Sequence, residues 1–199
     1  MIDFSATAVE VAPLLLGAIL TRDSEQGAVS VRITEVEAYL GVGEDPGSHA
    51  FRGPTARNAA MFGAPGRLYT YFTYGMHVCA NVVCSPEGSA SAVLLRGGEV
   101  VAGIEVARSR RLTARTDRDL ARGPANLVRA LGIELAEDGA LLDASPFELR
   151  PPVSEAPCVA TLRTGVSGAG GAEPYLWRFH LEGEPTVSPY KRHPKAGSA

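Results

Sequence analysis

Several things are scarce in this 199-residue chain, and each scarcity removes a class of chemistry. Of its 19 basic residues only two are lysines, Lys191 and Lys195, and both stand in the closing stretch YKRHPKAGSA. No lysine is therefore expected in the body of the fold to form a Schiff base. Cysteine is rare as well: Cys79, Cys84 and Cys158 are odd in number and form no CxxC pair. That argues against a disulfide framework or a thiolate zinc site and points to a reducing, cytoplasmic compartment. His49, His77, His180 and His193 have no metal-ligand spacing among themselves or with the cysteines, so neither a metal nor a cofactor is expected. The P-loop, GxGxxG, GxSxG and HExxH signatures do not occur. Long apolar runs are missing too. The most hydrophobic stretch, VAPLLLGAIL (11–20), is about half the length of a membrane span and follows acidic rather than basic residues. Neither a membrane segment nor a signal peptide is expected.

What remains is an ordinary globular composition, 45% hydrophobic and 21% charged, in a chain long enough to bury about 70% of its unfolded surface. A single domain over residues 1–192 is expected, with a disordered tail at 193–199. Net charge is −3, which by itself speaks against a nucleic-acid partner, but the distribution speaks for one. Residues 1–50 carry −6, residues 51–130 carry +6 and residues 131–199 carry −3. A basic middle between acidic flanks can concentrate positive potential on one face, although a solvated arginine-rich surface accounts for the same numbers.

Residues 8–20 read as a helix, provided Pro13 lies near its first turn. Residues 28–40 read as a strand whose apolar parity switches after Glu35, from Val29, Val31 and Ile33 to Val36, Ala38 and Leu40. GVGEDPGSH (41–49) is a loop by its turn residues. RLYTYFTYGMHVCANVVCS (67–85) reads as two strands joined at Tyr74-Gly75. SAVLLRGG (91–98) reads as a short buried strand ending at Arg96, and 99–111 as a helix. Residues 122–132 read as a second helix with Pro124 first and Gly132 as its stop. Alternation within 153–190 supplies closing strands.

Period-2 geometry puts Glu37 and Tyr39 on one strand face, where the parity switch says the face is no longer plain core. A carboxylate shielded by an aromatic suits a general base that positions water; a surface ion pair is the plainer alternative. In the hairpin Tyr69 reads as core, Tyr71 as core or pocket, and Tyr74 at the turn as a wedge for something stacked, such as bases. Asn81, in a buried run, either satisfies backbone groups or presents a pocket edge to a ligand. Arg96 either caps the core with its stem or offers its guanidinium to a phosphate.

Taken together, TEVEAYLG, HAFRG, TARNAAMFGAPGRLYTYFTYGMHVCANVV, AVLLRG and RGPANLVRALGI resemble the alkyladenine (3-methyladenine) DNA glycosylase family, its mammalian-type monofunctional branch, over about residues 10–190. The resemblance implies a mixed α/β (α+β) domain with a curved, largely antiparallel sheet flanked by helices. It implies that Glu37 is the catalytic carboxylate activating water, and that Tyr39, Tyr71 and His49 grip the extruded base. Asn81 would exclude the guanine amino group, Tyr74 would fill the duplex gap with Met76 beside it, and Arg96 would approach a phosphate. The implied partner is double-stranded DNA containing damaged purines, handled by a monomer. The implied reaction is excision of 3-methyladenine-type bases, with hypoxanthine a further candidate, without strand cleavage. Two departures stand out: Ala56 before the Arg57-Asn58 pair, and Asn126 where a basic residue is expected. A non-catalytic lesion-binding protein and a nucleoside hydrolase are the competing readings.

Overall fold

The computed structural model describes residues 2–73, 75–154 and 156–198. Its frame is two long antiparallel strands, β2 (Val29–Tyr39) and β5 (Ser91–Ala102). β2 is rich in β-branched residues, and both strands are buried along most of their length. One flank of β5 takes β4 (His77–Cys84), which pairs in turn with β3 (Leu68–Thr73). Further along the same strand, the two-residue β6 (Ala121–Arg122) pairs with Gly97 and Gly98. The free flank of β2 is shared. Its first half takes β1 (Ile19–Arg22), which pairs with β7 (Phe147–Arg150). Its second half takes β9 (Arg178–Leu181), which pairs with β8 (Cys158–Thr161). Every one of these strand pairings is antiparallel, and strands that change partner along their length give a curved sheet, as expected for a mixed α/β domain.

Three helices, α1 (Ala8–Leu14), α2 (Ile104–Arg110) and α3 (Pro124–Leu131), accompany the sheet. Ala8, Val11 and Ala12 of α1 and Leu127, Val128 and Leu131 of α3 enter the same apolar core as Val31, Ile33, Val36, Val93 and Leu95. At the start of α1 the Glu10 carboxylate accepts from both the amide and the hydroxyl of Thr7. α3 begins on Pro124, whose missing N–H is no loss in the first turn, and ends on Gly132 in the left-handed region (φ +76°).

Two readings of the sequence need correction. The helix expected over 8–20 stops at Leu14, because Pro13 lies in its last turn rather than its first, and the chain turns at Leu15–Ala18 into β1. The helix expected over 99–111 is only Ile104–Arg110. Glu99–Ala102 continue β5 because β2 runs alongside them and supplies ladder partners. β7 was not anticipated. Within the stretch 193–199, expected to form a disordered tail, Ala196 forms an isolated bridge with Gly168.

The parity switch in β2 has a structural cause. The β2–β5 register shifts between Ile33 and Glu35 and again between Glu35 and Val36. Opposite these irregularities stand Gly97 and Gly98. A Cβ on Gly98 would collide with Val31 Cγ1 and lie 2.6 Å from the Arg32 carbonyl, and one on Gly97 would lie 3.0 Å from Glu35 Oε2. The glycine pair therefore lets two backbones close on a buried carboxylate.

Candidate active site

β2 carries two glutamates in succession on one parity, and both are completely buried. Glu35 is held by four donors. Its Oε1 accepts from Arg178 Nε at 2.7 Å, Arg96 Nε at 3.0 Å and Ser188 Oγ at 3.0 Å, and its Oε2 accepts from the Ser188 amide at 2.7 Å. Burial alone would raise its pKa, but the Arg96 and Arg178 charges together with the hydrogen bonds from the Ser188 amide and Arg178 hold it below the ordinary carboxylate value.

Glu37 has three donors. Its Oε2 accepts from Tyr39 Oη at 2.8 Å and from Arg96 Nη1 at 3.3 Å; its Oε1 accepts from the Thr164 amide at 2.7 Å. An ionised carboxylate offers about four acceptor positions, so one on Oε1 is left. Glu37 is also on the wall of a cavity of about 490 Å³, inside the range of roughly 300–1,000 Å³ common for small-molecule sites.

Six of the residues singled out in the sequence meet on that cavity: Glu37, Tyr39, His49, Tyr71, Asn81 and Arg96. Strand geometry explains how. Tyr71 and Asn81 come from the β3–β4 hairpin, Arg96 from β5, and Glu37 and Tyr39 from the end of β2, where it leaves the sheet as the 41–53 loop that carries His49. The rings of His49 and Tyr71 meet edge to face with centroids 4.6 Å apart, and Tyr69 lies 5.6 Å from Tyr71. His49 Nδ1 and Tyr69 Oη are 3.0 Å apart. Burial of part of the ring, followed by the Arg57 charge, pushes the His49 pKa below 6.5, so the imidazole is neutral at pH 7. Burial pushes Tyr39 and Tyr71 well above the ordinary phenol value, so both stay neutral. The Cys79 thiol, opposite Tyr71 across the hairpin, is likewise pushed up by burial and stays protonated, which makes it a poor nucleophile.

Asn81 meets both alternatives. Its Nδ2 donates to the Tyr69 carbonyl at 3.0 Å, which fixes the amide orientation, while the residue lines the cavity. Tyr69 is buried, as read, although its hydroxyl end also reaches the wall. Arg96, read as a phosphate contact, instead directs its guanidinium into the protein: Nε to Glu35, Nη1 to Glu37 and Nη2 to Ser188 Oγ. The correction follows from burial, since two desolvated carboxylates require a cation between them. Met76 lies in the β3–β4 turn with 69% of its surface exposed and is not on the cavity wall. Tyr74 lies outside the described residues. Asn126 does reach the cavity, but its amide donates to the Arg122 carbonyl at 2.7 Å.

Sequence reasoning missed the segment that completes the site. Thr164–Ser167 line the cavity, and the Thr164 amide is the Glu37 donor just described. Arg163, next to it, is fully buried in a two-pronged pair with Asp45, at 2.6 and 2.7 Å, and its guanidinium lies 4.6 Å from the Tyr39 ring centroid. It fixes the back of that ring. The glycine-rich run RTGVSGAGG was the available signal, since glycine loops approach other groups closely. Among the described residues, no group of three or more His, Cys, Asp or Glu side chains is placed to hold a metal ion, and no helix is long and apolar enough to cross a membrane.

Comparison with known proteins bears on this site. The profile of the family described as methylpurine-DNA glycosylase (MPG) matches residues 2–185. A protein of Leifsonia xyli subsp. xyli named "Putative 3-methyladenine DNA glycosylase" is 64% identical over 195 residues, covering 96% of this chain and 92% of that protein. Proteins of the same name from Streptomyces avermitilis and Cutibacterium acnes are 52% and 49% identical, over 96% and 94% of this chain and 90% and 98% of their own lengths.

Proposed function

The chain belongs to the methylpurine-DNA glycosylase family, and on that premise we propose that it excises alkylated purines of the 3-methyladenine type, with hypoxanthine as a further substrate, from duplex DNA. The observation that carries this reading is the single acceptor position left on Glu37 Oε1, at the wall of an aromatic cavity. A water molecule donating one proton to that oxygen is aimed at the sugar C1′ of a nucleotide turned out of the duplex.

As the C1′–N bond lengthens, positive charge develops on the sugar, and the buried carboxylate stabilises it. The water oxygen bonds to C1′, its proton passes to Glu37, and the purine leaves with the bonding electron pair. An alkylated purine is already cationic and needs no strong acid to help it depart. Neutral Tyr39 and Tyr71 present electron-rich faces to such a base, and neutral His49 adds no opposing charge. Extrusion costs least at damaged or mispaired bases, which supports selectivity before chemistry. Asn81 narrows the cavity wall against the guanine amino group.

Excision without strand cleavage is supported by the cavity wall, where no lysine stands among the described residues. The test is a duplex carrying one alkylated purine, incubated with the protein and then treated with alkali. A nick at the lesion and free purine by chromatography are expected, with no borohydride-trapped adduct. A panel of alkylpurine duplexes that stays intact would overturn the proposal.

A further inference from the structure

The segment 190–198 has a place that its sequence does not suggest. The Gly165 amide donates to the Lys191 carbonyl at 2.8 Å, the Gly168 amide to the Lys195 carbonyl at 2.8 Å, and the Gly197 amide to the Gly168 carbonyl at 2.8 Å. The segment is thus laid along the loop that lines the cavity and holds Glu37 through Thr164. Its contacts to that loop are made by backbone groups; within the segment Arg192 Nη2 donates to the Ala196 carbonyl at 3.5 Å, and the Lys191 and Lys195 ammonium groups point to no hydrogen-bond partner among the described residues.

The cations of this segment differ from the tightly paired arginines of the chain. Arg22, Arg32, Arg96, Arg108, Arg163 and Arg178 each have a carboxylate oxygen within 3.0 Å. Lys191, Arg192 and Lys195 are exposed, and among the described residues none has a carboxylate within 4.0 Å. Arg57, whose guanidinium lies 5.7 Å from the ring centroid of the cavity residue Tyr71, also has no carboxylate within 4.0 Å among the described residues. Unpaired cations held at the edge of a cavity cost little when free and are available to an anion that arrives with the substrate.

We propose that Lys191, Arg192 and Lys195 form a phosphate-contacting rim of the cavity, docked on loop 165–168, which grips the DNA backbone beside the extruded nucleotide. The inference rests on the glycosylase reading and assigns it a backbone contact that Arg96, committed to Glu35 and Glu37, does not supply.

The test compares the native chain with K191Q/R192Q/K195Q and with R115Q/R118Q/R129Q, which removes three arginines from surfaces away from the cavity. Binding is followed with a labelled duplex containing one reduced abasic site, at several salt concentrations. Each phosphate contact contributes about 0.9 to the slope of log K against log salt, so the rim variant should lose about 2–3 from that slope and the control about none. Equal slopes for native and rim variant, with purine release by the native protein intact, would overturn the rim alone. A native protein that releases no purine from any alkylated duplex would overturn the glycosylase reading instead. A second measurement needs no variant. Because the chain has only two lysines, acetylation by an amine-reactive ester reports on this segment directly. The duplex should protect Lys191 and Lys195 severalfold; unchanged labelling counts against the rim.

Discussion

Glu35 and Glu37 are two residues apart on one strand, share Arg96 and are equally hidden from solvent, yet their surroundings differ and the proposed function gives them opposite roles. Glu35 has four donors, three of them on Oε1, and two guanidinium groups at that oxygen. Glu37 has three donors, one guanidinium at the longer distance of 3.3 Å, and a cavity at its side. Burial alone says nothing about which acid is reactive. The difference is the cavity, which Glu37 lines and Glu35 does not, and with it room for water. Together Glu35, Glu37, Arg96 and Arg178 form a charge-balanced group, which makes desolvation of all four tolerable.

Exchanging either acid for its amide is the sharpest way to break this comparison. Glu37→Gln should reduce the single-turnover rate of base release by at least about 10²–10⁴-fold, the range for loss of a positioned base, while lesion binding persists in a gel-shift assay. Persistence of excision would remove Glu37 from the mechanism. Glu35→Gln should act on stability instead, by about 3–5 kcal/mol, because Arg96 and Arg178 lose a buried counter-charge. The urea midpoint measures it, and a stable but inactive Glu35→Gln protein would erase the distinction between the two acids.

Acid sharpens the same contrast more gently. Because the fold lowers the Glu35 pKa, its stabilising contribution is complete above the ordinary value of 4.5 and is lost as pH falls through the lowered value in the folded protein. Melting temperature should accordingly fall below pH 4.5 in the native chain and change less with pH in Glu35→Gln. Tyr39→Phe removes one of the three donors of Glu37 and should slow excision about tenfold, the scale of one hydrogen bond to a charged group. Smallest is the effect of His49. Its lowered pKa keeps it neutral, so excision of a cationic purine should stay level as pH drops through 6.5 and weaken only below it. A decline centred on 6.5 would assign His49 an unperturbed imidazole.

Much of the site could be read from the chain because it is local. Glu37 and Tyr39 follow from period-2 spacing, and Tyr71 and Asn81 from one hairpin whose register, Tyr69 opposite Asn81 and Tyr71 opposite Cys79, is set by a short turn. The parity switch at Glu35 was also visible, although its cause, the register shifts against Gly97 and Gly98, required the partner strand. What could not be read is long-range. Thr164 meets Glu37 across 127 positions and Ser188 meets Glu35 across 153, and no periodicity encodes such pairings. Arg96 was misjudged for the same reason: its two carboxylate partners lie on another strand, so a buried counter-ion looked like a free guanidinium. The over-long helix at 99–111 was a tertiary override, with β2 claiming residues whose local pattern suited either state.

The distance in sequence between Glu37 and Thr164 has a safeguarding effect. A polypeptide ended or clipped ahead of residue 160 retains every phenol ring of the cavity wall but lacks the amide that orients the acid, as well as the Arg178 and Ser188 that quiet its neighbour. Under the proposed mechanism such a fragment would lack the contact that sets the Glu37 carboxylate against water. On the proposed mechanism, loss of the chain beyond residue 160 would therefore leave an idle molecule rather than an unselective one.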